Sequence, residues 1–225
     1  FLWRHNNLLP QIYPYQTLQT SSHLVRTTRI SPILTVMSKI LPNSCQWLFE
    51  ILLSGLAYST LFYLNDWLTS SLAFGSGVNW IYLPAGLRLF LTLIFGLPGA
   101  VGISIASFLI SYGGAFSLDL TACIGIGVIS GFAPYLARIF VVKNIYLEPD
   151  LSNLSLQKLG LCILIFALWS AGLHQWWFVT VGLENAGTIN HLLVMTLGDI
   201  LGSVLLIAIM KYGIDLLKQA KRISH

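Results

Sequence analysis

Apolar residues in this chain fall in long continuous runs, separated by short polar or Gly/Pro-containing breaks. A helix needs about 20 apolar residues to cross the ~30 Å hydrocarbon core of a bilayer, and membrane β-strands would alternate instead. Six runs qualify as predicted helices. The first spans about Gln46 to Leu64, and a polar connector follows from Asn65-Asp66 to Ser76-Gly77. The second, Trp80 to Gly96, is short. Pro84 falls in its first turns, where a missing backbone donor is tolerated. Leu97-Pro98 turns the chain with almost no loop into a third run, about Gly99 to Tyr112, which Gly113-Gly114 breaks. The fourth covers about Leu118 to Val142 and the fifth Leu159 to Phe178, with the polar loop 143–158 between them. The sixth covers Ile189 to Met210, and a basic tail, 211–225, closes the chain. The predicted fold class is all-α: a polytopic integral membrane bundle of about six transmembrane helices, without an internal repeat.

Residues 1–36 differ from the rest. They are polar and aromatic, carry Pro10, Pro14 and Pro32, and contain no run of membrane length. The expected organisation is a non-membrane arm over 1–36 and a six-span domain over 37–225. Met37, the first methionine, precedes Ser38-Lys39 and an apolar run, so one expectation is a native start there with an extension upstream. The other is a targeting arm, because Arg4, Arg26 and Arg29 precede any acidic residue, the charge pattern of a transit peptide.

Composition narrows the class. Of the 225 residues 56% are hydrophobic and only 9% charged, against roughly 25% charged in soluble domains. A soluble globular enzyme, a disordered chain and a nucleic-acid binder are excluded, and the first expected partner is the lipid bilayer. The net charge of +4 fits a topology. With both termini inside, every Lys and Arg except Arg88 lies on inner segments or their borders, while the outer connectors hold Asp66 and Glu184 and no basic residue. That is the positive-inside pattern, and it predicts an N-in, C-in orientation. Trp80 and Trp176-Trp177 are expected at the outer border, as an aromatic belt.

Charge within a span is costly, about 2.5–3.5 kcal/mol at the bilayer centre on insertion scales, so such residues face partners or wet cavities. Arg88 in the second run and Asp199 in the sixth have opposite sign and similar predicted depth. They are expected to pair, either as a structural ion pair fixing helix register or as the wall of a cavity in which an anionic or zwitterionic ligand competes for Arg88. Asp119 and His191 lie about a turn inside the outer face and His174 lies near it. With Asp199 they are candidates to line a path toward the midplane, or they are interfacial groups. Glu50 is expected to reach water at the inner border.

Small residues recur four apart at Gly127 and Gly131, at Gly198 and Gly202, and at Gly102 and Ala106. Such faces let helix backbones approach, within one bundle or between two copies. Asp199, next to Gly198, is thereby expected beside a close helix contact and away from lipid.

No enzyme motif is complete. Ile129-Ser130-Gly131 is preceded by Val128, where an intramembrane serine protease of the rhomboid kind has glycine. There is no His-Glu-x-x-His, no motif of the aspartyl intramembrane proteases, and no P-loop or dinucleotide fingerprint. Cys45, Cys123 and Cys162 lie scattered in or beside apolar runs, without metal-binding spacing. A protein without catalytic activity is expected; no metal site is indicated, and the sequence names no cofactor.

The stretch Trp80-Ile-Tyr-Leu-Pro84-Ala85-Gly86, an apolar half-helix, then Gly96-Leu-Pro98-Gly99 and a small-residue helix resembles one family. It is similar, over about residues 78–133, to the bacterial membrane-associated sensor domains whose second span opens with a Trp-Pro-Pro-Ala-Gly type signature. In them the Trp-to-Pro spacing is tighter, about eight spans are usual, and a cyclase or kinase output commonly follows. The resemblance implies a sensor-like or ligand-binding module of the bacterial cytoplasmic membrane that works through a membrane or signalling partner, with a small-molecule ligand. By size and composition alone the chain also resembles the substrate-capturing subunits of energy-coupling-factor vitamin transporters, which implies a small solute transporter or its subunit. A structural subunit of a larger membrane complex is the third expectation.

Overall fold

The computed structural model describes residues 43–75, 78–115, 119–148, 151–183 and 186–223. The expectations for residues 1–36 and the proposed start at Met37 lie outside them. The described residues form six α-helices: α1 Asn43–Thr69, α2 Leu83–Phe95, α3 Leu97–Ile110, α4 Leu120–Asn144, α5 Leu156–Thr180 and α6 Ile189–Ile223. A small antiparallel hairpin, β1 Ala73–Gly75 and β2 Val78–Asn79, lies between α1 and α2, with Ala73 opposite Asn79. Five helices, all but α2, are long and apolar enough to cross a membrane, α3 when counted with the turn that follows it to Gly114. The chain is a helical integral membrane protein.

The second run departs most from its expectation. It yields a helix of 13 residues, about 20 Å at 1.5 Å per residue and too short to cross ~30 Å alone. The residues before it do not wait at the membrane surface. A Cβ on Gly198 would overlap the Asn79 carbonyl, and one on Gly202 the Tyr82 carbonyl. Gly198 and Gly202 lie well inside α6, so the chain before α2 sinks about 15–20 Å along that helix before it turns helical. Non-helical backbone at such depth must find partners within the protein. Here the Tyr82 N–H donates to Gly198 O (3.2 Å) and the Leu83 N–H to Asn65 Oδ1 (3.0 Å). Asn65 is fixed in turn by its Nδ2 donating to Thr69 Oγ1 (3.0 Å). The expected connector from Asn65 is therefore the last turn of α1, and Asn65 is buried. Trp80 is correspondingly placed beside Gly198 and not at a helix end.

Pro84 stands at the start of α2, where its missing N–H costs nothing, and Gly96 at φ +65° ends the helix and opens α3. Asp119 caps α4, its Oδ1 accepting from Ala122 N (3.1 Å), and Ser155 caps α5. Beyond α3 the chain forms a single wide turn, Ser111–Ala115, with Gly114 at φ +104°. α6 does not stop at Met210 but continues helically through the basic segment to Ile223.

All five glycines of the small-residue faces meet this chain's own backbone. A Cβ on Gly102 would strike Ile51 O of α1; on Gly127, Ser104 O; on Gly131, Ala100 O of α3. Gly198 and Gly202 receive the descending strand, so the close contact beside Asp199 is with extended chain and not with a helix. Three apolar clusters result. One joins α2, α4 and α5 around Leu89, Val141 and Phe166. Another joins α1, α2 and α3 around Tyr58, Leu91 and Ile103. The third sets Val78 of the hairpin against Ala171, Val194 and Met195.

Candidate functional site

A layer of polar side chains crosses the bundle interior among these clusters. Arg88 from α2 and Asp199 from α6 form an ion pair at 3.4 Å, both 1% exposed. The same guanidinium nitrogen donates to Ser170 Oγ of α5, also at 3.4 Å. Both contacts are long beside the ~2.9 Å usual for N–H···O bonds. Arg88 Nε and Asp199 Oδ2 are buried without a hydrogen-bond partner among the described residues. Tyr82 and Phe166 turn their ring faces to the guanidinium, 5.3 and 5.5 Å from its carbon, and such rings stabilise a desolvated cation.

A second chain of bonds continues the layer. Ser107 Oγ of α3 donates to Ser130 Oγ of α4 at 2.9 Å. Ser130 lies 3.4 Å from His174 Nε2 of α5, and His174 Nδ1 lies 2.8 Å from the Ser170 carbonyl oxygen. That carbonyl can only accept, so Nδ1 carries the proton, and Nε2 is left to accept from the Ser130 hydroxyl. Ser107, Ser130 and Ser170 each lie at least ten residues from the start of their helices. At 1.5 Å per residue this is at least about 15 Å from a helix start, near the middle of a ~30 Å membrane.

Between the two chains lies a cavity of about 50 Å³, more than the ~10–15 Å³ a single water requires. Its polar wall includes Tyr58, Tyr82, Arg88, Ser107, Ser111, Ser130 and His174; its apolar wall includes Phe62, Phe178 and Met195. Tyr58 and Tyr82 join their hydroxyls at 3.1 Å on one side.

The expected polar set divides. The structure brings Arg88, Asp199 and His174 together. His174 is buried at 3% exposure, not close to a surface. Asp119 is exposed and spent as a helix cap. His191, in the first turn of α6, bonds Thr188 Oγ1 through Nδ1 at 2.7 Å and meets the Phe74 ring. Neither Asp119 nor His191 lines the cavity. Glu50 is buried rather than in water, and accepts from Gln46 Nε2 at 2.9 Å. Trp177, expected in an interfacial belt, instead donates its indole N–H to Ala122 O at 3.2 Å, while Trp176 is exposed.

The sequence reading missed Ser107, Ser170, Tyr58 and Tyr82, and weighed Ser130 only as part of a failed protease motif. Their signal was depth: a hydroxyl halfway along an apolar run, at the level of Arg88. Among the described residues no three His, Cys, Asp or Glu side chains converge as metal ligands would. No known protein family, curated protein or solved structure is significantly similar to this chain.

Proposed function

We propose that this chain is a sensor-like, ligand-binding module of a membrane, oriented with both ends of its helical domain on the cytoplasmic side. The observation that carries the reading is the loosely held Arg88 beside a cavity. A pair built only to fix helix register gains from short, fully used hydrogen bonds, because unpaired charge at depth is expensive. Here Arg88 Nε and Asp199 Oδ2 are buried without a hydrogen-bond partner among the described residues, and Arg88 lines open space. The spare Arg88 donor suits an arriving acceptor, so the ligand class is a small molecule with a carboxylate or comparable anionic group, its remainder against Phe62, Phe178 and Met195. The cavity volume accommodates a few waters, and a larger ligand requires those apolar side chains to move. The Ser107–Ser130–His174 chain then serves as a relay of adjustable hydroxyls, able to donate or accept as the ligand demands. The reading includes a membrane or signalling partner that receives the change, and the bacterial cytoplasmic membrane as location.

The test is a thermal-shift screen of the purified protein against small carboxylates and zwitterions. At least one should raise the melting temperature of the wild type and not that of Arg88→Gln. A screen in which every stabilising compound acts equally on both forms removes Arg88 from the site.

One observation favours a small solute transporter as the second reading. A helix that begins part-way into the membrane after extended chain, next to a polar cavity, is how many transporters build their substrate sites. Flux of a hit compound into proteoliposomes separates the two: a sensor binds without flux.

A further inference from the structure

A second cavity, of about 400 Å³, lies between α2, α6 and residues 151–159. Its volume falls in the ~300–1,000 Å³ range of pockets that hold whole small ligands. Its walls are graded. Leu89 and Leu93 of α2 and Leu154 make its wall apolar, and along α6 the wall passes from Ile207 and Met210 to Lys211, Ile214, Asp215 and Lys218. Positions 207, 211, 214 and 218 are spaced four, three and four apart, so they share one helix face. From Ile207 to Lys218 that face extends about 16 Å along the axis. Lys211 is the first charge on α6 after Asp199 and marks where the helix leaves apolar surroundings. The groove thus runs from hydrocarbon to basic along the direction in which a lipid lies.

We propose that this groove binds an anionic membrane phospholipid, with an acyl chain along Leu89, Leu93, Leu154 and Ile207 and its phosphate between Lys211 and Lys218. Charge complementarity selects this occupant over a zwitterionic lipid. The mouth has two cations and one anion, and the single ion pair there, Lys218 to Asp215, is 3.9 Å long with both side chains mostly exposed, so it leaves the lysine free to turn. Basic clusters at the cytoplasmic end of a membrane helix attract anionic headgroups, and Lys221 and Arg222 extend the basic segment in sequence. The proposal is independent of the ligand cavity at Arg88.

The experiment is native mass spectrometry of the full chain from mixed micelles holding phosphatidylglycerol and phosphatidylcholine of identical acyl chains. The wild type should retain phosphatidylglycerol ~5-fold over phosphatidylcholine, the factor expected for about one net lysine charge. The double variant Lys211→Gln/Lys218→Gln, altered only at exposed positions, should lose the preference to below ~2-fold. Lys143→Gln, which removes a charge outside the groove, should keep it. Leu154→Trp should lower retention of both lipids by filling the apolar end. Millimolar inorganic phosphate should leave the lipid in place. Equal retention of the two lipids by the wild type, an equal effect of Lys143→Gln, or displacement by phosphate alone would each overturn the assignment.

Discussion

Arg88 and Asp199 depend on each other at a depth where neither tolerates solitude. Removing one partner of a buried pair typically costs ~3–5 kcal/mol in soluble proteins, and somewhat less in a membrane, where water defects and snorkelling give relief. Arg88→Ala and Asp199→Ala should each destabilise the protein in detergent unfolding, whereas Arg88→Met/Asp199→Leu should recover much of the loss. If the double variant is no more stable than either single one, the two residues are not coupled. The hydroxyl chain makes a smaller demand. Ser130→Ala leaves His174 Nε2 buried without its donor, a cost of about 1–3 kcal/mol, while Ser130→Thr keeps a hydroxyl and should lose less; unfolding curves of the two variants provide the comparison. The charged half of this site was legible in the sequence, because opposite charges in two apolar runs have few other solutions. The uncharged half was not. A serine in a glycine-rich helix reads equally as packing or as a bond donor, and only the helix neighbours decide which.

At the scale of elements, the glycines sort into two kinds. Gly202 and Gly131 abut carbonyl groups that no added methyl can avoid, whereas Gly172 and Gly213 have nothing within 4 Å of a built Cβ. Gly202→Ala and Gly131→Ala should destabilise by about 1–3 kcal/mol through overpacking. Gly172→Ala and Gly213→Ala, in open helix interiors, should be neutral or should stabilise by about 0.5–1 kcal/mol. Thermal denaturation of the four variants checks the ranking. The five long helices were legible as continuous apolar runs, although α6 continues 13 residues past its expected end at Met210, because its basic segment stays helical. That the second run is short was legible too, but neither its start at Leu83 nor the depth at which it begins was. That depth follows from Gly198 and Gly202 admitting extended chain against α6, a contact between segments more than a hundred residues apart that no local pattern encodes.

For the whole molecule, the proposed orientation rests on the distribution of Lys and Arg along the sequence. Reporter fusions after Lys143 and at the C-terminal tail should read as cytoplasmic, and fusions near Ser70 and Asn185 as external. An external tail would mean that 70–95, the hairpin with its half-helix, enters and leaves the membrane on the same side. The packing also ranks the helices. In α1 only 17% of the membrane-length window is buried within the protein, and Trp47, Leu56 and Trp67 are each more than half exposed. Even so, α1 supplies Tyr58 and Phe62 to the cavity wall. Tyr58→Ala should thus weaken ligand stabilisation in the thermal-shift screen more than Trp47→Ala, although the tryptophan is the larger side chain. Amino-acid pattern alone gave the membrane class and the count of apolar runs; it gave no neighbours, and the cavity exists only through neighbours.

The 35 residues of α6 amount to about 52 Å of unbroken helix, well beyond the ~30 Å of hydrocarbon it has to cross. Asp199 lies in the embedded part, and about 36 Å of helix separates it from the last described turn. A rigid rod anchored at Asp199 converts angle into distance: a tilt of 5°, as an illustration of order of magnitude, moves the far end by about 3 Å over that length. That is comparable to the ~1–2 Å helix shifts by which packed interfaces switch state. The helix is in this sense a pointer, pivoting where Asp199 meets the guanidinium and carrying the displacement to its C-terminal turns.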